Sequence, residues 1–261
     1  MTQQNDSAVV WEVVAPEIMR VTLSSPPANA LGVAIIHGLS EALDAADAAP
    51  DIRLLIIESS VPGFFAAGAD IKLMSSIDVQ GFADYGDALR ATLDRIAKPG
   101  RLSIAAVEGV ALGGGLELAV ACTLRVAGAG AKFGLPEVAI GLIPGAGGTQ
   151  RLPRLVGRAR ALDIMLTARQ VEASEAVAIG LVDRLVDAGT ASVAALSLAG
   201  LLLRSSALAQ ASIVKTVDAA FDLPLADGMV LERNEVGSLF EHGDGREGLA
   251  AFVEKRKPNF R

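Results

Sequence analysis

Two apolar runs stand near the start of the chain: VVWEVV at 9–14, interrupted only by Glu12, and IMRVTL at 18–23, which alternates from Met19, with Ala15-Pro16-Glu17 between them. Short runs rich in β-branched residues and bounded by turn residues predict a pair of strands. After Ser25-Pro26-Pro27-Ala28-Asn29 the period changes. Ile35, Leu39, Leu43 and Ala46 recur at three and four residues, which predicts a helix that stops at Pro50. RLLIIE at 53–58 is a short, continuously apolar run and predicts a buried strand, and the small residues with Gly and Pro at 59–68 predict a loop. A helix is expected over 82–97, ending before Pro99, then a short strand at 104–107. Gly113-Gly114-Gly115 opens a helix running to about Cys122, followed by a strand at 124–127. Residues 134–148 read mostly as loop. Helical patterns dominate from Thr149, interrupted by one strand at 181–186, and from Ala191 the pattern is nearly all helical.

The order of elements predicts an α/β core over 1–190 and a C-terminal helical region over 191–261, with no low-complexity linker between them. The helical region carries Met229, Val236, Leu239 and Phe240, which either pack inward or meet another subunit.

Composition narrows the function classes. Of 261 residues, 51% are hydrophobic and 20% charged, ample for a packed core and unlike a disordered chain. A net charge of −7 repels polyanions, so no nucleic-acid partner is expected. One cysteine, Cys122, allows no intrachain disulfide, and His37 and His242 are too few and too scattered to suggest a zinc site; no metal is expected. Met1–Ser7 is polar without an apolar signal core, and the apolar runs are short or interrupted, as by Glu108 and Glu117. A cytoplasmic protein without a membrane partner is the expectation.

Three stretches could carry chemistry. In Gly113-Gly114-Gly115-Leu116-Glu117 the glycines permit close approach of a ligand to main-chain N–H groups, and a helix N-terminus offers unpaired donors suited to an oxyanion. The same glycines would equally serve a tight turn packed against a neighbour. Glu117 lies among Leu116, Leu118, Ala119 and Val120: it is either solvated on one face or held in an apolar pocket, where its pKa would rise and suit acid–base work. Glu137 follows Pro136 amid Val138, Ala139 and Ile140, a second carboxylate in apolar surroundings, and two such groups form a plausible acid–base pair. In FFAAGADIK (64–72), small residues again allow backbone approach, Asp70 suits a helix cap, and Lys72 suits a phosphate or plain solvent. No Gly-Lys-Ser/Thr, dinucleotide fingerprint, Gly-x-Ser-x-Gly elbow or His-Glu-x-x-His occurs, and apolar neighbours make Cys122 a core thiol.

Together FFAAGADIK, IAAVEGVALGGGLELAVAC (104–122) and FGLPEVAIGLIPGAGGTQRLPRLVG (133–157) resemble the crotonase (enoyl-CoA hydratase/isomerase) superfamily, and GREGLAAFVEKRKPNF (245–260) resembles its usual ending. The twenty-residue separation of Glu117 and Glu137 is that of its hydratases. The resemblance implies a crotonase-like spiral of ββα turns with a C-terminal helical trimerisation region, and trimers or dimers of trimers. It implies an oxyanion hole made by the N–H groups of Ala69 and Gly114. Glu117 and Glu137 would be the catalytic pair adding water to a trans-2-enoyl-CoA, giving a 3-hydroxyacyl-CoA in fatty-acid or related acyl-CoA degradation. It further implies coenzyme A contacts at Ala67, Ala69, Ile71 and Lys72, with Phe252 and Lys255 reaching a neighbouring subunit's coenzyme. No separate cofactor is implied, because coenzyme A arrives as part of the acyl-CoA substrate. Met74, Ile77, Phe82 and Tyr85 are expected to line the acyl pocket.

Two places depart from the family pattern. The link at 98–103 looks longer, and Thr123 follows Cys122 where many members carry Asp. The alternatives on the same scaffold are an enoyl-CoA isomerase and a 3-hydroxyacyl-CoA dehydratase. Those of another class are a non-catalytic acyl-CoA-binding protein and an RNA-binding protein. The last needs a basic helix, whereas 82–97 carries Arg90 and Arg95 against Asp84, Asp87 and Asp94.

Overall fold

The computed structural model describes residues 7–260; Met1–Asp6, most of the polar N-terminal stretch, lies outside the described residues. The two expected strands form an antiparallel pair, β1 (Val9–Ala15) and β2 (Ile18–Leu23), turning at Glu17 in a left-handed conformation. The helix read from Ile35, Leu39, Leu43 and Ala46 is α1 (Val33–Asp47), and all four side chains are buried.

The chain then repeats one pattern. Strand β3 (Leu54–Ser59) enters a large sheet, β4 (Phe64–Ala66) enters a small one, and helices α2 (Ile71–Met74) and α3 (Val79–Ala97) follow. The second round is β5 (Leu102–Val107), β6 (Val110–Leu112) and α4 (Gly114–Ala121). The third is β7 (Leu124–Gly128), β8 (Lys132–Gly134), a 3-10 turn at Glu137–Ile140, and α5 (Gly148–Val156) with α6 (Arg158–Thr167). The large sheet runs β1-β2-β3-β5-β7-β10 and the small one β4-β6-β8-β9, where β9 is Val171–Glu172 and β10 is Arg184–Val186. From β2 to β10 the large sheet is parallel. This is a spiral of ββα turns.

Parallel strands covered on both faces read as continuous apolar runs, and RLLIIE does so for that reason. One face of the large sheet, with Leu55, Ile57, Ala105, Val107 and Ala127, packs in the same core as Phe65, Ala111 and Phe133 of the small sheet. The other face, with Leu54, Ile56, Ile104, Ala106 and Val126, is covered by Ala191, Ala195, Leu198 and Ala199 of α8 (Ala191–Leu202). Glu108, just after β5, accepts from the N–H of Ala191 at 2.9 Å and fixes where α8 begins. Helix α7 (Ala173–Ala178) precedes β10, and α9 (Ala207–Ala219), α10 (Leu225–Glu241) and α11 (Gly245–Glu254) end the chain. Met229, Val236 and Phe240 of α10 are exposed in the single chain. Among the described residues no single helix is long and apolar enough to cross a membrane.

The structure corrects several boundaries. The expected loop at 59–68 contains β4, and the small sheet as a whole went unread, because strands of two or three residues show no measurable period. Helix α3 begins at Val79, capped by Asp78, rather than at 82. The strand expected at 181–186 shrinks to Arg184–Val186. Residues 134–148 are mostly loop as expected, with one 3-10 turn at Glu137–Ile140. At the departure noted at Thr123, its Oγ1 accepts from the N–H of Ser103 at 3.1 Å while its own N–H donates to Ser103 Oγ at 3.0 Å, a local pair joining β5 to β7.

Candidate active site

Helix α4 is the centre of the site. All eight of its residues are buried, which is why its sequence is apolar around the whole turn. Gly113 precedes it at φ 51° and ψ −127°, a conformation that disfavours a side chain. Gly114 is the first helical residue, so its N–H has no acceptor within the helix.

The segment after β4 is laid against this N-terminus. A Cβ on Gly68 would stand 3.7 Å from the N of Gly114, and a Cβ on Gly114 would stand 3.6 Å from the N of Ala69. Ala69 and Gly114, distant in sequence, therefore have adjoining main-chain nitrogens. Several bonds hold the segment. Ala67 N–H donates to Ala28 O at 2.9 Å, and Gly68 O accepts from Leu31 N–H at 2.7 Å. Fully buried Asn29 donates to Phe65 O at 3.0 Å and to Ser59 Oγ at 2.7 Å. The Tyr85 hydroxyl donates to Leu31 O at 2.7 Å and accepts from Asp70 N–H at 3.2 Å. Asp70 caps α2, accepting from Leu73 N–H at 3.0 Å. The supporting roles of Asn29 and of the Tyr85 hydroxyl were missed. SPPAN is visible as a loop signal, but its partners are remote in sequence.

Glu117, one turn into α4, is 3% exposed, so its pocketed alternative holds. Its Oε1 accepts from Ala146 N–H at 2.7 Å and from Gly148 N–H at 2.8 Å. Burial raises its pKa, and these two bonds, with the charges of Arg151 and Arg90, pull the other way. Glu137 lies at the start of its 3-10 turn, and its Oε2 is buried without a hydrogen-bond partner among the described residues. Burial pushes its pKa to about 7, its own backbone N–H opposes this, and the Glu117 charge adds to the rise. Two carboxyl groups thus share one site with unlike surroundings.

Ala67 and Ala69 sit half-buried along this segment, while Ile71 and Lys72 of α2 face solvent. Phe252, on α11, is 84% exposed, and Lys255 ends that helix in a left-handed conformation. Among the described residues no hydrogen bond or ion pair joins these two to α4. Cys122 is buried, and burial pushes its thiol up to about 12, so it is a core residue. Among the described residues no cluster of three or more His, Cys, Asp or Glu side chains could hold a metal ion.

Comparison with known proteins decides the family. A sequence model described as Enoyl-CoA hydratase/isomerase matches residues 15–261. The chain belongs to the enoyl-CoA hydratase/isomerase family. A Mycobacterium tuberculosis protein named "Probable enoyl-CoA hydratase echA8" is 42% identical over 242 residues, covering 92% of this chain and 93% of its own. The human mitochondrial methylglutaconyl-CoA hydratase is 37% identical, covering 89% of this chain and 70% of its own. The crystal structure of an enoyl-CoA hydratase from Geobacillus kaustophilus superposes with a TM-score of 0.93 at 35% identity, covering 99% of this chain and 98% of that one. The crotonase fold expected from the motifs is therefore the fold of this chain, and the family is one of enzymes acting on acyl-CoA. In this family member the two arginines of α3 point to internal work. Arg90 bonds the carbonyl of Gly145 at 2.9 Å, and Arg95 pairs with Asp44 and Asp47 at 2.7 and 2.9 Å.

Proposed function

We propose that this enzyme adds water across the double bond of a trans-2-enoyl-CoA to give a 3-hydroxyacyl-CoA. The observation that carries the reading is the contrast between the two glutamates. Glu117 receives two backbone N–H bonds, which favour its carboxylate, whereas the buried Glu137 Oε2 has no donor and its pKa rises to about 7. One group is suited to take a proton and the other to give one.

In this mechanism the thioester carbonyl accepts from the N–H groups of Ala69 and Gly114, whose nitrogens adjoin. Conjugation makes the β-carbon electrophilic, and the two donors, aided by the α4 dipole, stabilise negative charge on the thioester oxygen. Glu117 takes a proton from water as the water oxygen bonds to the β-carbon. Glu137 delivers its proton to the α-carbon. Proton exchange with solvent then restores both groups. Coenzyme A would lie along Ala67, Ala69, Ile71 and Lys72, with the exposed Lys72 available to a phosphate. The exposed apolar residues of α9–α11, Phe252 among them, support assembly into trimers or dimers of trimers, in which Phe252 and Lys255 reach a neighbour's coenzyme. A cytoplasmic setting in acyl-CoA degradation belongs to the same proposal.

The test is loss of the ultraviolet absorbance of crotonyl-CoA and longer enoyl-CoAs on addition of enzyme. Glu117→Gln and Glu137→Gln are each expected to lower kcat by about 10²–10⁴-fold. No absorbance loss with any chain length would overturn the hydratase reading, and formation of a shifted double bond from a 3-enoyl-CoA would favour the isomerase.

A further inference from the structure

Glu117 meets two backbone donors, and each donor's peptide is also bonded at its other end. Both donors belong to the glycine-rich stretch 145–148, a loop that ends at the first residue of α5 and whose peptides glycine leaves easy to rotate. The N–H of Ala146 and the C=O of Gly145 are the two ends of one planar trans peptide, so they point in opposite directions. Ala146 N–H meets Glu117 at 2.7 Å, and Gly145 O meets Arg90 Nη1 at 2.9 Å. Fixing one end of that peptide fixes the other. The next carbonyl, Ala146 O, accepts from Arg151 Nη1 at 3.0 Å, and Arg151 Nη2 is held by Asp94 of α3 at 2.5 Å. The second donor, Gly148 N–H, is fixed differently. The carbonyl of its own peptide, Gly147 O, accepts from Gln150 and Arg151 N–H groups at 3.0 and 2.7 Å as α5 begins.

The glycines beside these arginines leave room for them. A Cβ on Gly147, which has φ 106°, would stand 2.1 Å from Arg151 Nη1, and one on Gly86 would stand 3.3 Å from Arg90 Nη1. Among the described residues two guanidinium groups from different helices thus converge on one loop, and neither touches Glu117 itself.

We propose that Arg90 and Arg151 are positioning residues for Glu117, clamping the 145–146 carbonyls outward so that the Ala146 N–H stays aimed at its carboxylate. The clamp extends the hydratase reading, in which Glu117 is the base. It also polarises the Gly145–Ala146 peptide, which strengthens the N–H as a donor. Loss of the clamp lets the peptide rotate, withdraws one donor from Glu117 and removes a nearby positive charge. Each effect raises the pH at which Glu117 ionises.

The experiment uses the full chain and two readouts. The first is an infrared pH titration of the Glu117 carboxyl band, assigned by its disappearance in Glu117→Gln. The second is the kcat and KM for crotonyl-CoA hydration. In Arg90→Gln the Glu117 titration is expected to move to higher pH, kcat to fall by about 10–100-fold, as for a misplaced catalytic group, and KM to stay near that of the wild type. Arg90→Lys, which keeps a cationic donor, recovers part of both. Arg151→Gln is expected to move the titration in the same direction. If Arg151→Gln does not fold, Arg90→Gln, whose side chain is half exposed, decides alone. An unmoved Glu117 titration in folded Arg90→Gln overturns the clamp, whatever happens to kcat. Absence of turnover in the wild type sinks the hydratase reading but leaves the titration to judge the clamp.

Discussion

Gly113 and Glu137 meet at the mouth of α4: a Cβ on Gly113 would stand 2.9 Å from Glu137 Oε1. The glycine therefore does two things at once. It turns the backbone into the helix at φ 51°, and it leaves space for the Glu137 carboxyl from a different ββα turn. Gly113→Ala is expected to displace Glu137 as well as strain the turn, lowering kcat by about 10²-fold or more. Crotonyl-CoA hydration and a thermal melt, run together, check this. Unchanged kcat in a folded variant would mean that Glu137 need not stay where it is.

Glu137 makes stability and rate depend on pH in a defined direction. Its pKa in the fold, about 7, lies above the ordinary 4.5, so the folded state binds its proton more tightly than the unfolded chain does. That contribution is complete below the ordinary value and is lost as pH rises through about 7. Glu137→Gln removes the group that must be buried as a charge. It should raise the Tm at pH 8 by about 2–4 °C, the shift expected for about 1 kcal/mol in a chain of this size once solvent screening of the part-exposed carboxyl discounts the full pKa shift, and change it little at pH 4. In the wild type kcat/KM should fall as pH rises past about 7, because Glu137, the proposed proton donor, is then ionised. A Tm difference independent of pH would contradict the assignment.

The Tyr85 hydroxyl ties the segment bearing Ala69, through Asp70 N–H, to the stretch that pairs with it, through Leu31 O. Tyr85→Phe keeps the ring and removes both bonds. A loss of about 1 kcal/mol in stability is expected, from typical hydrogen-bond values, with a larger proportional loss in kcat than in thioester binding. Urea unfolding and steady-state kinetics give the two numbers.

Arg125 is a stability residue with no part in the chemistry. It is 4% exposed, pairs with Asp183 at 2.9 Å, and donates to Leu181 O at 2.8 Å and Cys122 O at 3.0 Å. Arg125→Met leaves two buried carbonyls without their donor and the Asp183 carboxylate with only the residue-125 backbone N–H, which donates to it at 2.7 Å. A loss on the order of 3 kcal/mol is expected, measured by denaturant unfolding, with kcat of the remaining folded enzyme little changed. A near-neutral variant would show that the pair contributes nothing net.

The sequence by itself determined the strands and helices long enough to show a period, such as α1 and the β1–β2 pair. It also determined the family, because FFAAGADIK, GGGLELA and GLPEVAIG are local strings whose order survives folding. Glu117 and Glu137 were legible as glutamates in apolar company, and Asp70 as a cap, since each signal lies within a few neighbours. The alternatives left open at Glu117 were decided by tertiary structure, because burial depends on what packs over α4 and not on α4 alone. The small sheet was invisible for the same kind of reason: strands of two or three residues are strands only because a partner is beside them. Among the partners of Asn29, Tyr85, Arg90 and Arg151 are the backbone carbonyls of Phe65, Leu31, Gly145 and Ala146, which carry no residue identity, and of these all but Ala146 are remote in sequence. Only the folded chain could place a guanidinium on Gly145 and, across one peptide, an N–H on Glu117.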